Sequence, residues 1–274
     1  MKRVIRRVSA AILVLVIALL GAAHAIARRE ANGDMRLMIP RGAAVVDDTH
    51  SVSYLHAGDP EAPRVVFVHG TPGSAGAWAG FLRAPLNGVE SIAIDRFGFG
   101  RSTPKMPTPS LEEQAKAIEP FLVQREGRWP ILVGHSLGAP IIARAAADYP
   151  GRVGGLVIVS GAMDPELEKV HWYQRVGEFR FIPPFLPELL RNSNRELIPL
   201  KEELEKLEPL LEKIDCPIAI IHGKKDRLVP AANVDFMKER FPTESVRQIS
   251  ILEKGDHFLI WNSEGVIRDA ISGL

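Results

Sequence analysis

The sequence predicts an α/β fold in which a mostly parallel sheet carries helices on both faces. Two features point to it: short apolar, β-branched runs recur along the chain, and amphipathic helical segments separate them. A third is composition. With 274 residues, 46% hydrophobic and 24% charged, the chain is long enough for one large core and too apolar for global disorder.

Residues 1–29 read as a separate segment and residues 30–274 as one domain. Lys2, Arg3, Arg6 and Arg7 precede the uncharged run 8–27, and Arg28 and Arg29 close it. Twenty residues at 1.5 Å rise make about 30 Å, the thickness of a bilayer's hydrocarbon core. The run predicts an N-terminal hydrophobic helix that anchors the chain in a membrane, with the four leading cations inside and the body on the outer side. The alternative is a signal peptide cut after the small-x-small site Ala23-His24-Ala25, leaving a secreted or periplasmic protein. The apolar residues continue past that site through Ile26 and Ala27, which favours the anchor.

After a polar lead-in, Ser51 to His56 alternates as a half-buried strand and Arg64 to Val68 is a short buried one. Further strands are expected at Ser91 to Ile94, Ile131 to Val133, Val153 to Val159, Pro217 to Ile221 and Val246 to Leu252. Helical periodicity marks Leu111 to Gln124, Leu137 to Asp148, Ala231 to Arg240 and Gly265 to Ile271. The interval of about 161–214 has no strand candidate. Its helix-like pieces, its breakers Pro183, Pro184 and Pro187 and its aromatics predict a helical cap over the strand ends, where open α/β sheets bind ligands. Trp172, Tyr173 and Phe185 either line a pocket there or form the cap's own core.

Charge and cysteine content exclude several classes. Residues 1–29 hold six of the 34 basic residues and no acidic one, which leaves 28 basic against 33 acidic residues in the body, a net charge of −5. Such a body does not attract nucleic acid by general electrostatics. The single Cys216 makes no internal disulfide, and its spacing to the eight histidines matches no zinc pattern.

The chemistry gathers at strand ends. Gly134-His135-Ser136-Leu137-Gly138 lies between an expected strand and an expected helix, the setting of a strained turn that holds a nucleophilic serine exposed. A serine hydroxyl needs a base, and the base a carboxylate to hold its tautomer. In proteins with this turn the chain order is Ser, acid, His. His257, after the last strand, fits the base. Asp226, in the loop after Pro217 to Ile221, fits the acid, with Asp164 after the preceding strand as the alternative. Negative charge developing on a carbonyl oxygen calls for two backbone donors. One is the N–H of Leu137. The other comes from the loop His69-Gly70-Thr71-Pro72-Gly73-Ser74, in which Pro72 has no N–H and Thr71 is the best placed.

With these residues in view, the chain resembles the α/β-hydrolase fold family over roughly Ser51 to Leu274. The resemblance rests on His69 to Gly73, Asp95-Arg96-Phe97-Gly98-Phe99-Gly100-Arg101-Ser102, Gly134 to Gly138, His222 to Asp226, and Gly255-Asp256-His257. It implies an eight-stranded sheet, a cap between the sixth and seventh strands, the triad Ser136, Asp226 and His257, an oxyanion hole at Thr71 and Leu137, and neither cofactor nor metal. It implies that Asp95 to Ser102 is a structural turn. Relatives with an aspartate nucleophile are excluded by Ser136, and the residues at Thr71 and Leu137 depart from those of proline iminopeptidases. The expected activity is hydrolysis of a small-molecule ester or lipid outside the cytoplasm. An aminopeptidase or amidase, or a binding protein of the same fold, are the alternatives.

Overall fold

The structure, a computed structural model, describes residues 38–170, 172–178 and 186–274. The expected anchor at 8–27 lies outside these residues, as do Phe179, Phe181, Phe185 and the side chain of Tyr173. Among the described residues no helix is long and apolar enough to cross a membrane.

Eight strands form one sheet: β1 (Arg41–Val45), β2 (Ser51–Ala57), β3 (Arg64–Val68), β4 (Glu90–Ile94), β5 (Ile131–His135), β6 (Gly155–Val159), β7 (Ile218–Gly223) and β8 (Val246–Leu252). Their order is β1-β2-β4-β3-β5-β6-β7-β8. β1 and β2 run antiparallel to their neighbours, and the other six strands are mutually parallel. In the middle of the sheet β3, β4, β6 and β7 are buried end to end and β5 is buried after its first residue, because both faces are covered.

Successive side chains of a strand point to opposite faces, so the apolar runs supply two cores. Val66, Val68, Ile218 and Ile220 face one core with α2 (Leu111–Lys116), α3 (Gly138–Asp148) and α7 (Asn233–Arg240). Val65, Phe67, Ala219 and Ile221 face the other, against Trp78, α1 (Ala79–Arg83) and α9 (Glu264–Ser272).

The polar lead-in contains a strand that the pattern did not reveal. β1 is an edge strand, and an ion pair of 2.6 Å from Arg41 to the buried Asp95 fastens it. The helix expected over Leu111 to Gln124 stops at Lys116 and resumes only as a short tight turn at Glu119–Phe121. Pro120 explains the break, since it has no N–H to donate back to the carbonyl of Lys116.

The interval between β6 and β7 holds α4 (Trp172–Gly177), α5 (Glu188–Leu197) and α6 (Leu200–Leu207), and no strand among the described residues. Its second half is not an overhanging cap. Leu200, Leu204, Leu207 and Leu211 are buried in the same core as Ile141 and Ile142 of α3, so only the part before Leu200 projects over the strand ends.

The tightest approach lies where α3 leaves the sheet. A Cβ built on Gly138 would clash with the carbonyl oxygen of Val68, a backbone atom that cannot swing aside. Gly138→Ala is therefore expected to lower stability by about 3 kcal/mol or more, with a Tm loss of roughly 6–12 °C, readable by calorimetry. An unchanged Tm would mean that β3 and α3 can separate without cost.

Candidate active site

Ser136 follows β5 and has φ +54°, a left-handed conformation that a non-glycine residue adopts at a cost of about 1–2 kcal/mol. Its neighbours hold it there. The Ser136 N–H donates to Val159 O at 3.0 Å, and its carbonyl accepts from Ala139 N at 3.0 Å. The loop after β3 presses on the same turn, since a Cβ on Gly70 would lie 2.9 Å from Ser136 Cβ and 3.1 Å from His135 O. Among the described residues the N–H groups of Leu137 and of Thr71 donate to no protein acceptor, which leaves both free for an oxyanion.

His257 lies between β8 and α8 (Leu259–Asn262). Its Nδ1 donates to Asp226 Oδ2 at 2.7 Å, so the neutral ring carries its lone pair on Nε2. Asp226 Oδ1 accepts from the backbone N–H of Leu228 at 2.9 Å and of Val229 at 2.8 Å. Burial raises the Asp226 pKa, but the His257 bond and these N–H groups outweigh it, and the carboxyl titrates below its ordinary range. Asp164 is not near this carboxylate's role. Its side chain caps the tight turn Pro165–Leu167 by accepting from Glu166 N, and Asp226 is the carboxylate brought to His257.

Two further histidines brace the pair, and the sequence reading assigned neither a role. His135 Nε2 donates to the His257 carbonyl at 2.9 Å, and the two rings lie 4.8 Å apart. His222 Nε2 donates to Val229 O at 3.0 Å and stands 3.7 Å from Asp226 Oδ2. Burial lowers the pKa of both, His135 to about 4. Both sit inside motifs already quoted, Gly134 to Gly138 and His222 to Asp226, but a motif does not say which partners a histidine meets on another loop.

Ser136, Leu137, Thr71 and His257 line one cavity of about 440 Å3 beneath the cap, walled on its apolar side by Leu197 and Leu200. Glu168 lines it too, with its pKa raised by burial and by the charge of Asp164. Trp172 is 75% exposed and does not line it. A larger open groove of about 630 Å3 near Glu208 and Arg240 is lined by neither Ser136 nor His257. Among the described residues no group of three or more His, Cys, Asp and Glu is placed to hold a metal ion.

The turn from Asp95 to Ser102 is structural, as the resemblance implies. Asp95 is fully buried and accepts from Ala75 N, Arg41 Nη1 and Arg101 N, while Ser102 Oγ donates to Asp95 O at 2.6 Å.

Residues 63–180 match the alpha/beta hydrolase fold family. The pimeloyl-[acyl-carrier protein] methyl ester esterase of Methylococcus capsulatus is 30% identical over 203 residues, 61% of this chain and 78% of that protein. The pFDCC methylesterase MES16 of Arabidopsis thaliana is 25% identical over 70% of this chain and 86% of its own length. Other curated relatives are matched over less than half of their length. Among solved structures, the monoacylglycerol lipase of Paleococcus ferrophilus superposes with a TM-score of 0.62 at 22% identity, covering 81% of this chain and 97% of that one.

The buried neutral imidazoles make stability depend on pH. Unfolding restores the ordinary histidine pKa of about 6.5, so the unfolded chain binds protons that the folded chain refuses. His69, with its pKa far below normal, adds to His135 and His222. Their contribution is complete above about pH 6.5 and is lost as pH falls towards 4, at about 1 kcal/mol per pH unit or more from His135 alone. Urea unfolding at pH 7 and pH 5 should show it. A flat profile would mean that these rings titrate normally.

Proposed function

The chain belongs to the α/β-hydrolase fold family, and from that membership we propose that it is a serine hydrolase that cleaves a carboxylic ester or lipid through an acyl-enzyme. It is a hydrolase of the α/β fold with esterase- and lipase-type relatives. The observation that carries the finer reading is the joint placement of Ser136, the Asp226-supported His257 and two uncommitted N–H groups around one cavity.

Ser136 Oγ attacks the ester carbonyl while His257 Nε2 takes its proton. The carbonyl oxygen becomes an oxyanion held by the N–H groups of Leu137 and Thr71. The intermediate collapses, the C–O bond to the alcohol breaks, and the alcohol leaves with the proton from His257. Water then attacks the acyl-enzyme, giving its proton to His257, and the acid departs as Ser136 is reprotonated. Asp226 stays ionised throughout, keeping the proton on Nδ1 and stabilising the imidazolium. The methyl ester and methylesterase chemistry named for the relatives, and the monoacylglycerol lipase, support ester bonds as substrate. Glu168 in the cavity wall supports a second reading, an aminopeptidase or amidase whose substrate brings an ammonium group to that carboxylate.

Fluorophosphonate labelling tests the nucleophile, and Ser136→Ala should abolish it while the fold survives. Asp226→Asn should lower kcat by on the order of 10⁴-fold by favouring the wrong imidazole tautomer, whereas Asp164→Asn should cost little. The reverse ranking would move the acid. Aryl esters of graded acyl length beside aminoacyl anilides decide between the two substrate classes.

The uncharged run 8–27 between basic flanks supports a single N-terminal anchor with the hydrolase body on the outer side of the membrane. The full-length protein should then resist carbonate extraction and retain an N-terminal tag. Recovery of an exported soluble form starting at Ile26 would establish cleavage instead.

A further inference from the structure

The N–H of Thr71 belongs to the peptide whose carbonyl is Gly70, and that peptide is trans. In a trans peptide the C=O and N–H point in opposite directions, so whatever grips the Gly70 oxygen aims the Thr71 N–H. Two donors grip it: His69 Nδ1 at 2.7 Å and Arg96 Nη2 at 3.1 Å. Arg96 also donates through Nε to His69 O at 3.0 Å, and its own N–H donates to His69 Nε2 at 3.2 Å, which keeps the His69 ring neutral with its proton on Nδ1.

Arg96 is fully buried, and a guanidinium in that setting needs an anion. The anion comes from a hundred residues downstream. Glu196, on the cap helix α5, meets the guanidinium with two bonds of 2.8 and 3.0 Å and is itself only 2% exposed. Gln114 Nε2 donates to Glu196 Oε1 at 3.0 Å. One turn earlier on α5, Asn192 Nδ2 donates to Gly98 O and Lys105 O, which pins the helix to the turn that carries Arg96. Burial holds the Glu196 carboxyl above its ordinary range, and the contacts with Arg96, Thr71 and Gln114 offset only part of that rise. The Thr71 hydroxyl is buried beside this pair without a hydrogen bond of good geometry.

We propose that Glu196 is a positioning residue: through Arg96 and the Gly70 carbonyl it aims and polarises the Thr71 N–H towards the oxyanion. Donation to one end of a peptide strengthens donation from the other, so the same contacts sharpen the donor as well as orient it. The inference rests on the hydrolase reading above and assigns to the cap helix a part in rate in addition to covering the cavity.

The test compares full-length wild type and Glu196→Gln on an aryl ester and on its thionoester, whose sulfur is a poor hydrogen-bond acceptor. Active-site concentration is set by fluorophosphonate titration. The ratio of kcat/KM between the two esters reads the oxyanion donors and does not depend on the folded fraction. It should fall by about tenfold or more in the variant, mainly through kcat, with KM within about threefold. A trifluoromethyl ketone inhibitor should weaken by a similar factor. If Glu196→Gln fails to fold, Glu196→Asp, which keeps the charge but shortens its reach, should show the same fall. An active wild type whose ratio survives unchanged in the folded variant overturns the inference alone. A wild type that neither reacts with the fluorophosphonate nor hydrolyses either ester overturns it together with the hydrolase reading.

Discussion

The left-handed turn at Ser136 constrains everything around it, because a serine with φ +54° persists only where its surroundings permit no other path. Those surroundings are backbone. Gly138 lies against Val68 O, Gly70 lies against Ser136 itself, and Val159 O takes the Ser136 N–H. Three neighbouring strands, β3, β5 and β6, must therefore be in register before the turn can form. The start of α3 then leaves the Leu137 N–H uncommitted beside the Ser136 hydroxyl.

Polar groups beneath the cavity are arranged in two separate frames. One runs from His222 and His135 to Asp226 and His257, and burial disfavours the charged form of His222 and His135. The other runs from Glu196 through Arg96 to the Gly70 carbonyl and carries a compensated charge pair. The first frame sets a tautomer and the second sets a direction. Both are costly to bury unless nearly every group is satisfied, so each ties distant segments together: His135 to His257, and the turn after β4 to the helix α5.

Much of this was legible along the chain. Arg64 to Val68 and Val246 to Leu252 fall where the apolar runs put them, and Ser136, Asp226 and His257 lie on the loops that their motifs predict. The misses have physical causes. β1 is an edge strand with a mixed face, so it shows neither a clean alternation nor an apolar run. The cap's second half read as an overhang because its leucines repeat at helical spacing, which does not say what they pack against. Glu196 gave no signal at all: a polar helix position normally faces solvent, and only a buried partner on another element reverses that.

The sequence by itself determined the class of fold, the order of strands and helices and the residue types available at the strand ends, because hydrophobic period and local turn chemistry are properties of neighbouring residues. It also supplied a carboxylate at two suitable loops. Only the tertiary structure decided that Asp226 meets His257 while Asp164 caps a turn, that Arg96 is neutralised by Glu196, and that two N–H groups from loops 66 residues apart open on the same cavity. Each of these is a contact between segments far apart in the chain, fixed by how strands pair across the sheet, and nothing in the local sequence encodes that pairing.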